Sequence, residues 1–251
     1  MRTAWPASMP MPDSRHDSRM TTPAGDTSAP IPSDANAGKA AIFDLDGTLL
    51  DSMHVWTDVD NEFLHKRGFD VPADYAESIA HLSFEGCAEY TIRRFGLPDS
   101  PQDLMDEWNR MAFDAYTTTV PLKPHAGEYL RHLKATGAKL AVATSLPPRF
   151  REAVLRRLGV YDLFDAFSSV GDVGDVSKDQ PDVYLHAAAQ VGVKPTDCTV
   201  FEDILVGIRV VKSVGMHAWA MYDASSKSHW PQIQAIADGV MHDFSEAPRI
   251  L

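Results

Sequence analysis

The sequence predicts an α/β fold, a three-layer doubly wound parallel sheet carrying one inserted α-helical domain, and three observations predict it. The first is a set of short apolar runs that each close on a polar or acidic residue: Ala40-Ala41-Ile42-Phe43 before Asp44, Leu140-Ala141-Val142-Ala143 before Thr144, and Thr199-Val200-Phe201 before Glu202 and Asp203. Continuous apolar runs of this length are strands buried on both faces. The second is what separates them. Residues 128–135, 149–158 and 183–191 have helical spacing and are closed by Gly137, Gly159 and Gly192, where a left-handed residue ends a helix. Strand and helix in alternation imply right-handed crossovers and a parallel sheet. The third is an interruption. From 53 to 122 the apolar positions, such as Phe63, Leu64, Ile79, Tyr90, Phe95, Leu104, Trp108 and Phe113, keep to helical spacing with no strand among them.

Each segment then takes its place. Residues 1–38 are rich in Pro, Ser, Thr, Asp and Met without apolar periodicity, so burial cannot offset the entropy of ordering them, and a disordered tail is expected. Pro6, Pro10, Pro12, Asp13 and Arg15 interrupt every candidate signal-peptide core, and Met9, Met11 and Met20 raise the expectation of a downstream start. Residues 39–52 and 123–251 form the core, with further strands at 217–221 and 239–241. Residues 53–122 form a helical cap, inserted where it can cover the strand tips and exclude water from a substrate.

Composition narrows the function. The chain has 251 residues, 44% of them hydrophobic, enough for one core domain and a smaller insertion. No run approaches the 18 or so apolar residues that span a membrane, and a formal charge of -12 argues against a nucleic-acid partner, which needs a basic face. Cys87 and Cys198 stand far apart, which fits a reducing cytoplasm and no disulfide framework. The ten His residues show no helical zinc spacing. A monomer is expected, because a cap needs freedom to open.

Chemistry concentrates in Asp44-Leu45-Asp46-Gly47-Thr48. Two acids at i and i+2, across a turn at the C-terminal tip of a buried strand, share one small volume where open sheets hold their active sites. One can attack while the other moves protons or helps hold a metal. A calcium loop also begins Asp-x-Asp-Gly, yet its fifth, sixth and twelfth positions here are Thr48, Leu49 and Val55, so its ligand set is missing.

With these residues in hand, the chain resembles the haloacid dehalogenase superfamily, in its branch of capped phosphatases and phosphomutases, over about residues 40–245. The motifs are Asp44 to Ser52, the strand ending at Thr144 with Ser145 following, Lys178-Asp179-Gln180-Pro181-Asp182, and Val200 to Asp203 with Gly207 and Val214-Gly215-Met216 downstream. The resemblance implies a phosphatase acting on a small phosphorylated metabolite, a sugar phosphate, through an aspartyl-phosphate. Asp44 is then the nucleophile and Asp46 the acid and base. Magnesium is held by Asp44, the backbone carbonyl of Asp46 and Asp203, with Glu202 in or just outside its coordination sphere. Thr144 and Lys178 bind the phosphoryl group, with Ser145 beside them, and backbone N–H groups from Leu45 to Gly47 complete a phosphate cradle. Asp51 is expected to cap the first cap helix or order the hinge, and Asp182 to cap the helix after it.

The sequence departs from the family pattern in informative places. Ile204 stands where many relatives have Ser, and Asp179-Gln180 where Pro and a small residue are usual. Mutases of the β-phosphoglucomutase type carry a cap Arg that grips a second phosphate, but the matching turn reads His81-Leu82-Ser83-Phe84-Glu85-Gly86. The Lys that mutases place after the second motif is replaced by Leu146-Pro147-Pro148, with Arg149 next. Hydrolysis is therefore preferred, a phosphomutase is the alternative, and a non-catalytic module on the same fold stands third. Dehalogenation needs no second acid, and Asp46 is present. His54, Trp56, His81, Ser83, Phe84 and Glu85 are the candidates for contacting the leaving group.

Overall fold

The fold follows from β1 (Ala40–Phe43), whose four residues are all buried and which is flanked on both sides by parallel partners. In this computed structural model, which describes residues 31–79, 84–174 and 176–251, β1 pairs with β2 (Lys139–Thr144) and β4 (Cys198–Glu202). Outside these lie β3 (Ala166–Ser169), β5 (His217–Met221) and β6 (Gly239–Met241). The order is β3-β2-β1-β4-β5-β6, parallel throughout. The chain runs outward from β1 to β3, then returns to the other side of β1. The crevice at such a reversal is where doubly wound sheets bind ligands.

Alternate side chains of each strand face opposite layers. Ala41 and Phe43 join one apolar core with Tyr129, Leu130 and Leu133 of α5 (Ala126–Ala135) and Val154 and Leu155 of α6 (Pro148–Arg157). Ala40 and Ile42 join the other, with Val183, Tyr184, Ala187 and Ala188 of α7 (Asp182–Val191) and Ile208 and Val211 of α8 (Leu205–Ser213). Ile233 of α9 (Trp230–Ile236) completes this second layer. Phe43 stacks on Phe201 of the neighbouring strand at 4.7 Å between centroids.

The insertion between β1 and α5 is helical as expected: α1 (Val55–Lys66), α2 (Tyr75–Ile79), α3 (Phe84–Phe95) and α4 (Pro101–Thr118). Ser100 opens α4 with a reciprocal bond pair to Asp103, and Pro101 fills the first helical position. Leu104, Trp108, Ala112 and Tyr116, each four residues on, are buried and form the stripe that packs on α1. Phe63 meets Trp108 edge-on at 5.5 Å. The two chain crossings into the insertion are sewn together: Lys123 N–H donates to Leu49 O at 2.9 Å and Asp51 N–H to Pro121 O at 3.0 Å. The Lys123 ammonium bridges Asp51 at 3.0 Å and Asp223 at 2.8 Å. Asp51 thus orders the hinge, and His54 occupies the N-cap of α1.

Three expectations need correction. Residues 1–30 lie outside the described residues, but 32–38 form turns rather than tail. Asn36 is buried, donating to Thr136 Oγ1 at 2.8 Å and Arg249 O at 3.1 Å while accepting from Leu251 N–H at 2.7 Å, so that polar satisfaction orders a segment with little apolar content. Asp182 is the first residue of α7, Pro181 holds the cap position, and no side-chain cap bond forms. The strand β3 has no counterpart in the sequence reading because Ala166 and Phe167 are its apolar residues; pairing with β2 makes it a strand. Among the described residues, no helix is long and apolar enough to cross a membrane.

A half-buried acid in the insertion has no hydrogen-bond partner among the described residues. Asp60 on α1 sits among apolar side chains with no hydrogen bond to a described residue, and burial pushes its carboxyl up to about 6. An acid raised in the folded state contributes stability below its unfolded pKa, here 3.8, and loses it as pH rises through 6. The unfolding free energy of Asp60→Asn should therefore exceed that of the parent increasingly between pH 4 and pH 7, by roughly 1–3 kcal/mol at the upper end. Parallel pH profiles for the two proteins would contradict this.

Candidate active site

The register of β1 and β4 builds the site. Phe43 is paired with Phe201, so Asp44 and Glu202 leave the sheet side by side, and Asp203 follows immediately. The Asp44 N–H extends the ladder by donating to Phe201 O at 3.0 Å. One oxygen from each of Asp44, Glu202 and Asp203 lies within 4.8 Å of the others, and all three residues are buried. Lys178, from the loop before α7, reaches between them, donating to Asp44 Oδ1 and, at 2.7 Å, to Glu202 Oε1.

The turn after β1 is tight because Leu45 O accepts from the N–H groups of Thr48, Leu49 and Leu50. Gly47 adopts φ +80°, and a Cβ there would fall 2.5 Å from Asp203 Oδ2. Only glycine allows this turn to lie against the acid. Thr48 Oγ1 donates to Asp203 Oδ1 at 3.1 Å and Ser226 Oγ to Oδ2 at 3.4 Å. These two hydroxyls hold Asp203 even though Ile204 offers none. Gly207 plays the matching part at the start of α8, where a Cβ would come 2.7 Å from Glu202 Oε1.

The charges are unevenly settled. Burial pushes Asp44 up to about 7, with Lys178 opposing and Glu202 adding to the rise. Glu202 stands below its ordinary value despite burial, because the Lys178 ammonium and hydrogen bonds from Lys178, Tyr184 and the Asp203 N–H favour its charged form. Tyr184 donates to Glu202 Oε1 at 2.8 Å and Asp203 N–H to Oε2 at 2.8 Å. Asp203 is held well above the usual carboxylate range by burial and then by the charges of Glu202 and Asp44. Lys178 rises because the two carboxylates outweigh its burial. Three carboxylates against one ammonium crowd negative charge that either protons or a further cation relieve, and an all-oxygen donor set is what a hard divalent ion takes. The residues present therefore fit magnesium.

Asp46 does not point into that cluster. Its Oδ1 accepts from Ser52 at 2.6 Å and from the Tyr116 hydroxyl at 2.5 Å. Burial raises its pKa and these two bonds restrain the rise. The acid named for proton transfer is thus held by the hinge and by the last turn of α4. Its carboxylate is no part of the acidic group.

Thr144 is fully buried at the tip of β2, its Oγ1 accepting from Leu146 N–H at 3.0 Å, and Ser145 beside it is exposed. The Gly47 N–H, expected in the phosphate cradle, is instead committed to Leu50 O at 3.1 Å because it closes the turn. Trp56 and Phe84 meet edge to face at 5.7 Å, while His54 and Glu85 are exposed at the starts of α1 and α3. His81 and Ser83 lie outside the described residues. Sequence reasoning missed Tyr116 and Tyr184. For Tyr116 a signal existed: the last position of an i, i+4 apolar stripe holds a hydroxyl that needs a partner once buried.

Gly207→Ala forces a methyl into the Glu202 carboxylate on an otherwise ordinary helix. We expect it to lower stability by about 1–3 kcal/mol. An unchanged denaturation midpoint would mean that Glu202 is not pinned as described.

Comparison with known proteins bears on these motifs. The haloacid dehalogenase-like hydrolase family model matches residues 39–215. A probable pseudouridine-5'-phosphatase of Drosophila melanogaster is 31% identical over 77% of this chain and 87% of its own. The β-phosphoglucomutase of Bacillus subtilis (strain 168) is 32% identical over 72% and 81%. Among solved structures, a putative β-phosphoglucomutase from Thermotoga maritima superposes with a TM-score of 0.70 over 81% of this chain and 94% of that one, at 24% identity, a likeness of fold. Motif order, sheet topology and these matches agree, and the chain belongs to the haloacid dehalogenase-like hydrolases, in the branch that holds phosphatases and β-phosphoglucomutases.

Proposed function

We propose that the protein is a magnesium-dependent phosphatase that hydrolyses a small phosphorylated metabolite, of the sugar-phosphate class, through an aspartyl-phosphate on Asp44. The observation that carries this is the convergence of Asp44, Glu202, Asp203 and Lys178 at the sheet's reversal, with Asp46 two residues from the nucleophile. Asp44 attacks phosphorus as the ester P–O bond breaks, dividing one hard displacement into two easier ones. Asp46, whose burial favours the protonated form, gives its proton to the leaving oxygen. It then takes one from the water that resolves the acyl phosphate. Lys178 releases Asp44 to the phosphoryl group and stays beside it as a fixed charge, while Thr144 donates to an equatorial oxygen.

Asp44, Asp203 and the Asp46 carbonyl would hold magnesium, with Glu202 outside the coordination sphere, since Lys178, Tyr184 and the Asp203 N–H already occupy its oxygens. When bound, the ion neutralises charge between carboxylate and phosphate and orients both. Matches to a phosphatase and to a mutase leave the choice of acceptor to the local charges. Arg149, the first cation after the second motif in sequence, lies 4.0 Å above the Phe113 ring, and Arg94 is paired with Asp74. A second phosphate is therefore poorly supplied with cations, which favours water as acceptor over a phosphomutase or a non-catalytic module.

Phosphate release with magnesium, measured over sugar phosphates, nucleotides and small phospho-acids, tests this. One chemical group should be hydrolysed, and Asp44→Asn should lower its turnover more than about 1,000-fold. A chelator should stop release and magnesium restore it. Activity indifferent to chelation would remove Asp203 from its role, and transfer of phosphate between sugar positions without release would show a mutase.

A further inference from the structure

The helical insertion contains a cavity that the phosphoryl chemistry does not use. It has a volume of about 180 Å³ and is lined by Trp56 and Asp60 of α1, Ile79 of α2, Phe84 and Cys87 of α3, and Trp108 of α4. Two of its polar groups are orphaned among the described residues. The Asp60 carboxylate makes no hydrogen bond, and only burial acts on its pKa. The indole N–H of Trp108, a residue 3% exposed, also has no partner. Asp60 is half-buried, whereas a fully buried donor such as the indole is rarely left unmet.

Carboxylate and indole want opposite things, since one only accepts and the other only donates. A hydroxyl does both at once. An ammonium group satisfies Asp60 alone and leaves the indole unmet. A flat base finds no slot, because Trp56 and Phe84 are inclined at 71° and Phe84 and Trp108 at 54° rather than facing each other in parallel. The exposed rings of Trp56 and Phe84 leave an apolar mouth, suited to the C–H face of a hydroxylated chain. The volume equals about six waters, room for a short polyol or one sugar ring. Position links this cavity to the reaction. Trp108 and Tyr116 share one face of α4, about 12 Å apart along its axis, and Tyr116 bonds Asp46. Trp56 lies four residues beyond Ser52, the other partner of Asp46.

We propose that this cavity receives the hydroxylated end of a polyol or sugar leaving group, with Asp60 accepting from a hydroxyl and the Trp108 indole donating to one. The identity of that ligand as a leaving group rests on the phosphatase proposal; its fit to the cavity does not. Asp60 and Trp108 then set specificity, because a site built around a hydroxyl penalises a ligand without one.

The test compares kcat/KM for ribitol 5-phosphate and n-pentyl phosphate, of equal carbon number. The polyol ester should be preferred by more than about tenfold, the worth of one such bond. That ratio should fall by about tenfold in Asp60→Leu and in Trp108→Phe, through KM more than kcat, and recover in Asp60→Asn, which keeps an accepting oxygen; thermal melts exclude misfolding. Equal use of the two esters, a ratio untouched by the substitutions, or preference for phosphocholine over both would overturn the proposal while leaving the phosphatase standing. Should neither ester be turned over, tryptophan emission titrated with ribitol decides instead: a saturable change lost in Asp60→Leu supports the pocket, and no change overturns it.

Discussion

The Lys178 ammonium between Asp44 and Glu202 is the contact on which the rest of the site depends. Its three buried carboxylates, Asp44, Glu202 and Asp203, stand at the tips of adjacent strands, where a parallel sheet brings side chains together whether or not their charges agree. Without a cation their mutual repulsion and lost hydration would be borne by the fold. Lys178 meets part of that cost, Tyr184 and the Asp203 N–H occupy Glu202, and the remaining oxygens form a donor set that a hard divalent ion fits. Removing the ammonium would expose the same carboxylates to each other, so Lys178 is what holds them together in the fold.

A second dependence runs between core and insertion. Asp46 belongs to the core turn, yet one of its two hydrogen bonds comes from Tyr116, at the end of the longest helix of the insertion. The hinge is stitched by Asp51, Lys123 and Asp223 across both crossings. Placement of the insertion and placement of the Asp46 carboxylate are thereby one event.

Much of this was legible in the sequence because the determinants are local. Asp44, Thr144 and Glu202-Asp203 each end an apolar strand, and the register of a parallel sheet then delivers them to one edge. Gly47 and Gly207 carry their meaning in position, each lying against a carboxylate. What escaped is set by packing between distant segments. Tyr116, Tyr184, Asp60 and Trp108 read as ordinary helix residues until the partner helix or strand is placed beside them. β3 is a strand only because β2 pairs with it, and the turns around Asn36 depend on Thr136, Arg249 and Leu251 from far along the chain.

The central claim is a covalent phosphoryl group on Asp44, and the most direct measurement is acid quenching during turnover with magnesium, followed by peptide mapping by mass spectrometry. The account predicts the added mass of one phosphoryl group on the peptide that contains Asp44, absent from Asp44→Asn and lost on treatment with hydroxylamine. Steady phosphate release with no labelled peptide at any quench time, or a label on a different residue, would contradict it.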